Sequence, residues 1–243
     1  MTIPSIKDSA MAAGALRPAA EAGCILAADT SSKRTTLALY RDGEIIEMNS
    51  TTETPSAARF FVLLDALLET GRMSLDDVDC LALGAGPGSF TGLRVSFTAF
   101  RTLAWARGLP LYPINSLLAL AFPYRSVEAS LIVRMAARRG HVYQYAVRAG
   151  GCIDELALLS YEEARTRAKA LPVPQFLLGC AEEEEDELPR LVHALGPDAA
   201  NIALLALEAR AAGEPPNLKD VLPLYLRPSD AEVALQKSVC EGR

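Results

Sequence analysis

The chain has 243 residues, 50% of them hydrophobic, with 24 Lys+Arg against 30 Asp+Glu. That composition is globular and excludes collagen-like, coiled-coil and wholly disordered classes. No apolar run approaches the ~18 residues of a membrane helix. Six of the acids form one run, Glu182 to Glu187, and the remaining 24 balance the 24 bases. The acidity is therefore local, and no basic footprint for gripping nucleic acid stands against it. The small basic clusters (Arg134, Arg138, Arg139; Arg165, Arg167, Lys169) read as solvated faces.

Residues 1–23 read as a flexible leader. Lys7, Asp8, Arg17 and Glu21 break any apolar stretch a signal peptide would need, and Met11 is a second candidate start. Cys24 to Ala28 is a buried strand. Thr35 to Tyr40 and Glu44 to Met48 flank Asp42-Gly43, a hairpin turn signal. Thr54 and Pro55 open a helix to Thr70. Cys80 to Gly84 is a strand, followed by a Gly-rich loop and a helix from Thr91 to Arg107, stopped at Gly108. Leu109 to Ile114 is a strand, and Ser116 caps a short helix to Phe122.

The order then restarts. Ser130 to Met135, His141 to Arg148 and Cys152 to Leu159 read as strands. Ser160-Tyr-Glu-Glu163 is a capping box. Gln175 to Gly179 is a strand, and Asp186 to Leu195 and Asp198 to Ala212 read as helices. Two repeats of strands followed by alternating helices and strands predict mixed sheets flanked by helices. The predicted division is a first lobe at 24–122, a second at 123–228 and a tail at 229–243. A Pro-rich stretch from Pro215 reads as an extended arm.

Two polar loops could bear chemistry. Asp29-Thr30-Ser31 follows the first strand, where a carboxylate and turn amides could hold a metal-bound phosphate. A polar hairpin turn is the plainer reading. Gly86-Pro87-Gly88-Ser89 precedes a helix N-terminus, which favours anions, but it lacks the Lys of a P-loop and the Rossmann spacing. Two histidines, His141 and His193, offer no metal-ligand spacing, and Ser89 has no G-x-S-x-G setting. Five cysteines without a C-x-x-C pair argue against a disulfide framework or zinc knuckle. At 100° per residue, Phe60, Phe61, Leu63, Leu64, Leu67 and Leu68 span about 160° of the first helix. The second helix gathers Leu93, Phe97 and Phe100 on one face. The surplus apolar width suggests a partner helix, with burial inside the chain as the alternative.

Several strings together resemble the TsaB (YeaZ) family, bacterial proteins of tRNA threonylcarbamoyladenosine synthesis. They are Ile25-Leu-Ala-Ala-Asp-Thr-Ser-Ser32, Gly86-Pro-Gly-Ser-Phe-Thr-Gly-Leu-Arg-Val95, Leu109-Pro-Leu-Tyr-Pro-Ile-Asn-Ser-Leu117, Ala137-Arg-Arg-Gly-His-Val-Tyr143 and Pro223-Leu-Tyr-Leu-Arg227. The resemblance implies a two-lobed α/β fold of the actin-like ATPase type (ASKHA, RNase H-like), each lobe a mixed sheet flanked by helices. It implies a cytoplasmic, non-catalytic scaffold pairing with TsaD, joined by the ATPase TsaE, with tRNA met only through the complex and no membrane. TsaD transfers the threonylcarbamoyl group to adenosine 37 of tRNAs reading codons that begin with A. No cofactor is expected on the chain alone; ATP and magnesium belong to the partner complex, and a homodimer is conceivable in isolation. The pairing would use helices 55–70 and 91–107, giving Phe60, Phe61, Leu64, Leu68, Leu93, Phe97 and Phe100 as interface candidates. Asp29, Thr30, Ser31, Gly86, Gly88 and Ser89 would be a vestigial phosphate site. The family's Asp-Ala-Arg turn reads Ala136-Ala-Arg138 here. A stand-alone ATPase or phosphotransferase of this fold is the second reading, and a glycoprotease-like peptidase the third.

Overall fold

The computed structural model describes residues 23–51, 57–137, 140–149, 151–179, 191–193, 196–216 and 223–224. The leader to residue 22, Thr54 and Pro55, the acidic run and the tail at 229–243 lie outside the described residues.

The first sheet is built from β1 (Ile25–Asp29), β2 (Arg34–Arg41), β3 (Glu44–Thr51), β4 (Cys80–Gly84) and β5 (Leu111–Ile114), in the order β3-β2-β1-β4-β5. The hairpin turns where the sequence placed it: Asp42 and Gly43 both take positive φ, 52° and 87°. Such a turn matches the twist of its strands. Helices α1 (Ala57–Gly71) and α2 (Phe90–Arg107) cover one face. Leu26, Ala28, Leu37, Leu39, Leu81 and Leu83 meet them there. Both helices cross between parallel strands, so they run side by side in the same direction. Phe60 and Phe100 meet edge to face, 6.0 Å apart, which sets residue 60 of α1 level with residue 100 of α2.

The second sheet repeats the plan with β6 (Ser130–Ala136), β7 (His141–Arg148), β8 (Gly151–Ser160), β9 (Gln175–Gly179) and β10 (Leu191–His193), ordered β10-β9-β6-β7-β8. One expectation fails here. Of the helix read over Asp186 to Leu195 the described residues are 191–193, and these form β10, which pairs in parallel with β9. With that strand the two sheets have the same connectivity. Helix α4 (Tyr161–Lys169) opens on the expected capping box, Ser160 with Glu163.

The remaining helices are exchanged between lobes. Helix α3 (Ser116–Ala121) belongs to the first lobe by sequence, yet packs on β6 and β7. Helix α5 (Ala199–Ala211) follows the second sheet, yet packs on β1, β2 and β4. One core therefore joins both sheets: Ile25, Ala27 and Ala82 from the first, Leu131, Val133 and Met135 from the second, with Leu117, Ile202 and Leu205 between them. Polar ties hold α5 in place. Arg34 Nη1 donates to Asp198 Oδ1 at 2.7 Å, and the amide of Ala199 donates to Thr36 Oγ1 at 3.0 Å. Asp198 starts α5 without a side-chain cap bond, its carboxylate being turned to Arg34. The boundary predicted at residue 122 is thus a boundary of sequence and not of packing.

Two smaller expectations are also corrected. Asn115, not Ser116, caps α3, accepting from the amides of Leu117 and Leu118. Arg134 is not solvated: it is buried, and its Nε donates to Gln144 Oε1 at 2.9 Å. Arg165, Arg167 and Lys169 are exposed as expected.

A fragment of residues 23–122 lacks α5, which buries Ile202 and Leu205 against the first sheet at about 1.5–3 kcal/mol per side chain. It is expected to give no cooperative thermal transition, whereas residues 23–228 melt as one unit. Differential scanning calorimetry of both chains checks this, and a sharp transition in the short fragment would refute the shared core.

Candidate functional site

Strand β1 is apolar to Ala28 and ends on Asp29, whose carboxylate is completely buried. Oδ1 accepts from the Ser31 amide at 2.8 Å and from Ser31 Oγ at 2.7 Å. Oδ2 accepts from Ser116 Oγ at 2.6 Å. Ser116 Oγ in turn accepts from the Gly86 amide at 3.1 Å, and the Ser116 amide donates to the Gly86 carbonyl. One carboxylate thus ties β1, the start of α3 and the Gly-rich loop together. Burial pushes its pKa up despite the hydrogen bonds from Ser116 and Ser31, and the charge of Asp198 pushes the same way.

The two loops read as phosphate-binding are packed against one another. Thr30 Oγ1 donates to the Gly92 carbonyl at 2.8 Å and shares a 2.7 Å hydrogen bond with Ser96 Oγ. The Ser89 amide donates to the Ser31 carbonyl at 2.7 Å. Gly88 and Gly92 permit this contact, because a Cβ on either would overlap the carbonyl of Ser31 or of Thr30. Ser89 Oγ is taken by the Gly92 amide as the N-cap of α2. The structure therefore brings Asp29, Thr30, Ser31, Gly86, Gly88 and Ser89 together with the loops' polar groups turned on each other. Across the core, the face of β6 that meets α3 offers Leu131, Val133 and Met135, all apolar. Among the described residues, no group of three or more His, Cys, Asp or Glu could hold a metal ion. His141 lies exposed at the start of β7.

The second candidate surface is the outer side of α1 and α2. Five of its predicted members are not on the surface. Phe60, Leu64, Leu93, Phe97 and Phe100 are buried against the chain's own sheet and offer nothing to a partner. The sheet takes the centre of each apolar stripe. Phe61, at the stripe's edge, is 47% exposed, and Leu68 is half-buried. Two exposed residues escaped the sequence reading: Val62 on α1 and Trp105 on α2, 69% and 80% exposed. Trp105 lies about 140° round the helix from Phe100, an azimuth legible in the sequence as clearly outside the buried face. Arg59, Asp65 and Glu69 are exposed on α1, Arg94 and Arg101 on α2. A shallow groove on α2 is lined by Arg94, Thr98, Arg101 and Thr102, with Pro223 beside it. Leu224 anchors that arm, its amide donating to the Ala85 carbonyl at 2.8 Å.

The family model described as TsaD: tRNA N6-adenosine threonylcarbamoyltransferase matches residues 50–175. The tRNA threonylcarbamoyladenosine biosynthesis protein TsaB of Haemophilus influenzae is 35% identical over 122 residues, 49% of this chain and 51% of that protein. A tRNA N6-adenosine threonylcarbamoyltransferase of Lacticaseibacillus casei is 27% identical over 193 residues, 72% of this chain and 55% of that protein. The chain thus spans about half the length of the curated relatives it matches. The solved structure of YeaZ from Pseudomonas aeruginosa superposes with a TM-score of 0.68 at 26% identity, covering 84% of this chain and 100% of that one. The two-lobed actin-like ATPase fold is that of this neighbour.

Because the folded carboxyl of Asp29 titrates above its usual 3.8, the folded state holds its proton more tightly than the unfolded one. That contribution to stability is full below pH ~4 and is lost as pH rises through the folded value. Asn keeps the shape without the charge. The melting temperature of Asp29→Asn minus that of the wild type is therefore expected to rise between pH 4 and pH 8. Thermal melts across that range check it, and a flat or falling difference would contradict the buried charge.

Proposed function

The chain belongs to the TsaB (YeaZ) family, within the wider group whose TsaD model it matches over half its length, and we propose that it acts as the scaffold subunit of tRNA threonylcarbamoyladenosine formation. In this reading it does no chemistry itself. It pairs with TsaD, which modifies adenosine 37 of tRNAs reading codons that begin with A, and TsaE joins the pair. ATP, magnesium and tRNA are met through that cytoplasmic complex and not by the chain alone.

The observation that carries the reading is the outer face of α1 and α2. Of the six large hydrophobic side chains exposed among the described residues, Phe61, Val62 and Trp105 lie on these two helices. Aromatic residues of this kind anchor interfaces. The saturated carboxylate of Asp29 and the packed loops support the absence of nucleotide chemistry, and so weigh against the ATPase reading. The peptidase reading would need a nucleophile, yet Ser89 Oγ is engaged as a helix cap. Without TsaD, the same apolar face would pair two copies of the chain.

Burying Phe61 in a contact is worth about 1.5–3 kcal/mol, and a carboxylate in its place would leave an unpaired charge there. Phe61→Asp is therefore expected to weaken TsaD binding at least about 100-fold, roughly 2.7 kcal/mol, with the fold intact. Trp105→Ala is expected to act in the same direction. Leu64→Asp places the charge in the core instead and should unfold the first lobe. Calorimetric titration with TsaD and circular dichroism melts check these outcomes. Normal binding by both Phe61→Asp and Trp105→Ala would place the partner elsewhere.

A further inference from the structure

The face of α2 that meets the sheet is held mostly by apolar contacts, among them Leu93, Phe97, Phe100 and Ala104. Such contacts are non-directional and hold a helix's rotation less sharply than hydrogen bonds do. The hydrogen bonds that tie the first turns of α2 to the sheet come from one short loop. Thr30 Oγ1 reaches both the Gly92 carbonyl and Ser96 Oγ, which lie one turn apart on α2. Gly92, lacking a Cβ, lets the helix close on the Thr30 carbonyl. The Ser31 carbonyl takes the amide of Ser89, the N-cap residue. Thr30, Ser31 and Ser96 are each at most 2% exposed. Rotating α2 by one residue, about 100°, would strand all of these groups without water, and buried polar groups left unpaired are costly.

We infer that Thr30 is a positioning residue for the partner surface. The loop that the sequence offers as a candidate phosphate site is here turned onto α2. It sets the azimuth at which Trp105 and Arg101 are presented. This rests on the reading that the outer face of α2 meets TsaD, but the positioning itself can be read without TsaD. Trp105 is the only tryptophan of the chain, so its fluorescence reports the orientation of α2 directly.

The experiment compares Thr30→Val, which keeps the shape and loses the hydroxyl, with Thr30→Ser, which keeps the hydroxyl. Thr30→Val is expected to weaken TsaD binding at least about 10-fold and to change the emission maximum and iodide quenching of Trp105. Thr30→Ser is expected to stay within about twofold of the wild type in binding and to match its emission. Ile132→Val, in the small cluster of Ile132, Ala146, Ala168 and Leu177 on the second sheet, controls for a general loss of stability and should leave binding and emission unchanged. Should Thr30→Val fail to fold, Ser96→Ala removes one of the two bonds to Thr30 and should move both readouts in the same direction, less far. Wild-type binding and emission in a folded Thr30→Val, or in the Ser96→Ala variant that replaces it, would overturn the inference. Loss of binding equal in Ile132→Val would overturn it too. A wild-type chain that does not bind TsaD at all would instead sink the proposed function, and Trp105 emission would still decide the positioning.

Discussion

The structure depends on where the Asp29 carboxylate sits. A carboxylate with no exposure is tolerable only when its lone pairs are met by donors. Here the donors come from its own loop and from Ser116, at the start of the helix that covers the other sheet. Ser116 passes the connection to the Gly-rich loop through the Gly86 amide. Two loops and one interlobe helix are therefore fixed by one acid. The cost is a carboxyl group held above its usual range. The return is a junction that has one geometry, because any displacement strands a buried polar group.

That junction divides the first lobe into an inward and an outward side. Inward, Asp29 is hydrogen-bonded to Ser31 and Ser116, and Thr30 to Gly92 and Ser96. Outward, α1 and α2 carry aromatic and aliphatic side chains in water. Phe61, Val62 and Trp105 are exposed on the outward side, and the inward hydrogen bonds of Thr30 tie α2 behind them.

Signals local in sequence were legible, and those that needed a distant partner were not. Asp42-Gly43, the Ser160–Glu163 box and the Gly108 stop each act within a few residues, and all three hold. Strand β10 has three residues and exists because β9 lies beside it; nothing within Leu191 to His193 marks it as strand. Arg134 reads as a surface base because its partner, Gln144, arrives from the next strand. Asn115 and Ser116 are both good caps, and the choice was settled by Asp29, far away in sequence, claiming the serine. The α1 stripe was seen at its true azimuth, but the share taken by the sheet depended on how deeply the helix settles. Hence Phe60, Leu64 and Leu67 are buried, Phe61 is left outside, and Val62, off the stripe altogether, joins it.

The exchange of α3 and α5 has a consequence during synthesis. A ribosome releases the first sheet long before the helix that lines its inner face, since β1 begins at Ile25 and α5 ends at Ala211. Until then Ile25, Ala27, Ala38 and Cys80 lack the cover that α5 gives them. Chains commonly fold N-terminal domain first as they emerge, and exposed apolar surface on an incomplete domain invites aggregation. Contacts of such sequence separation also form slowly. The nascent first lobe thus keeps this apolar surface uncovered for as long as translation takes to reach the second lobe's last helix.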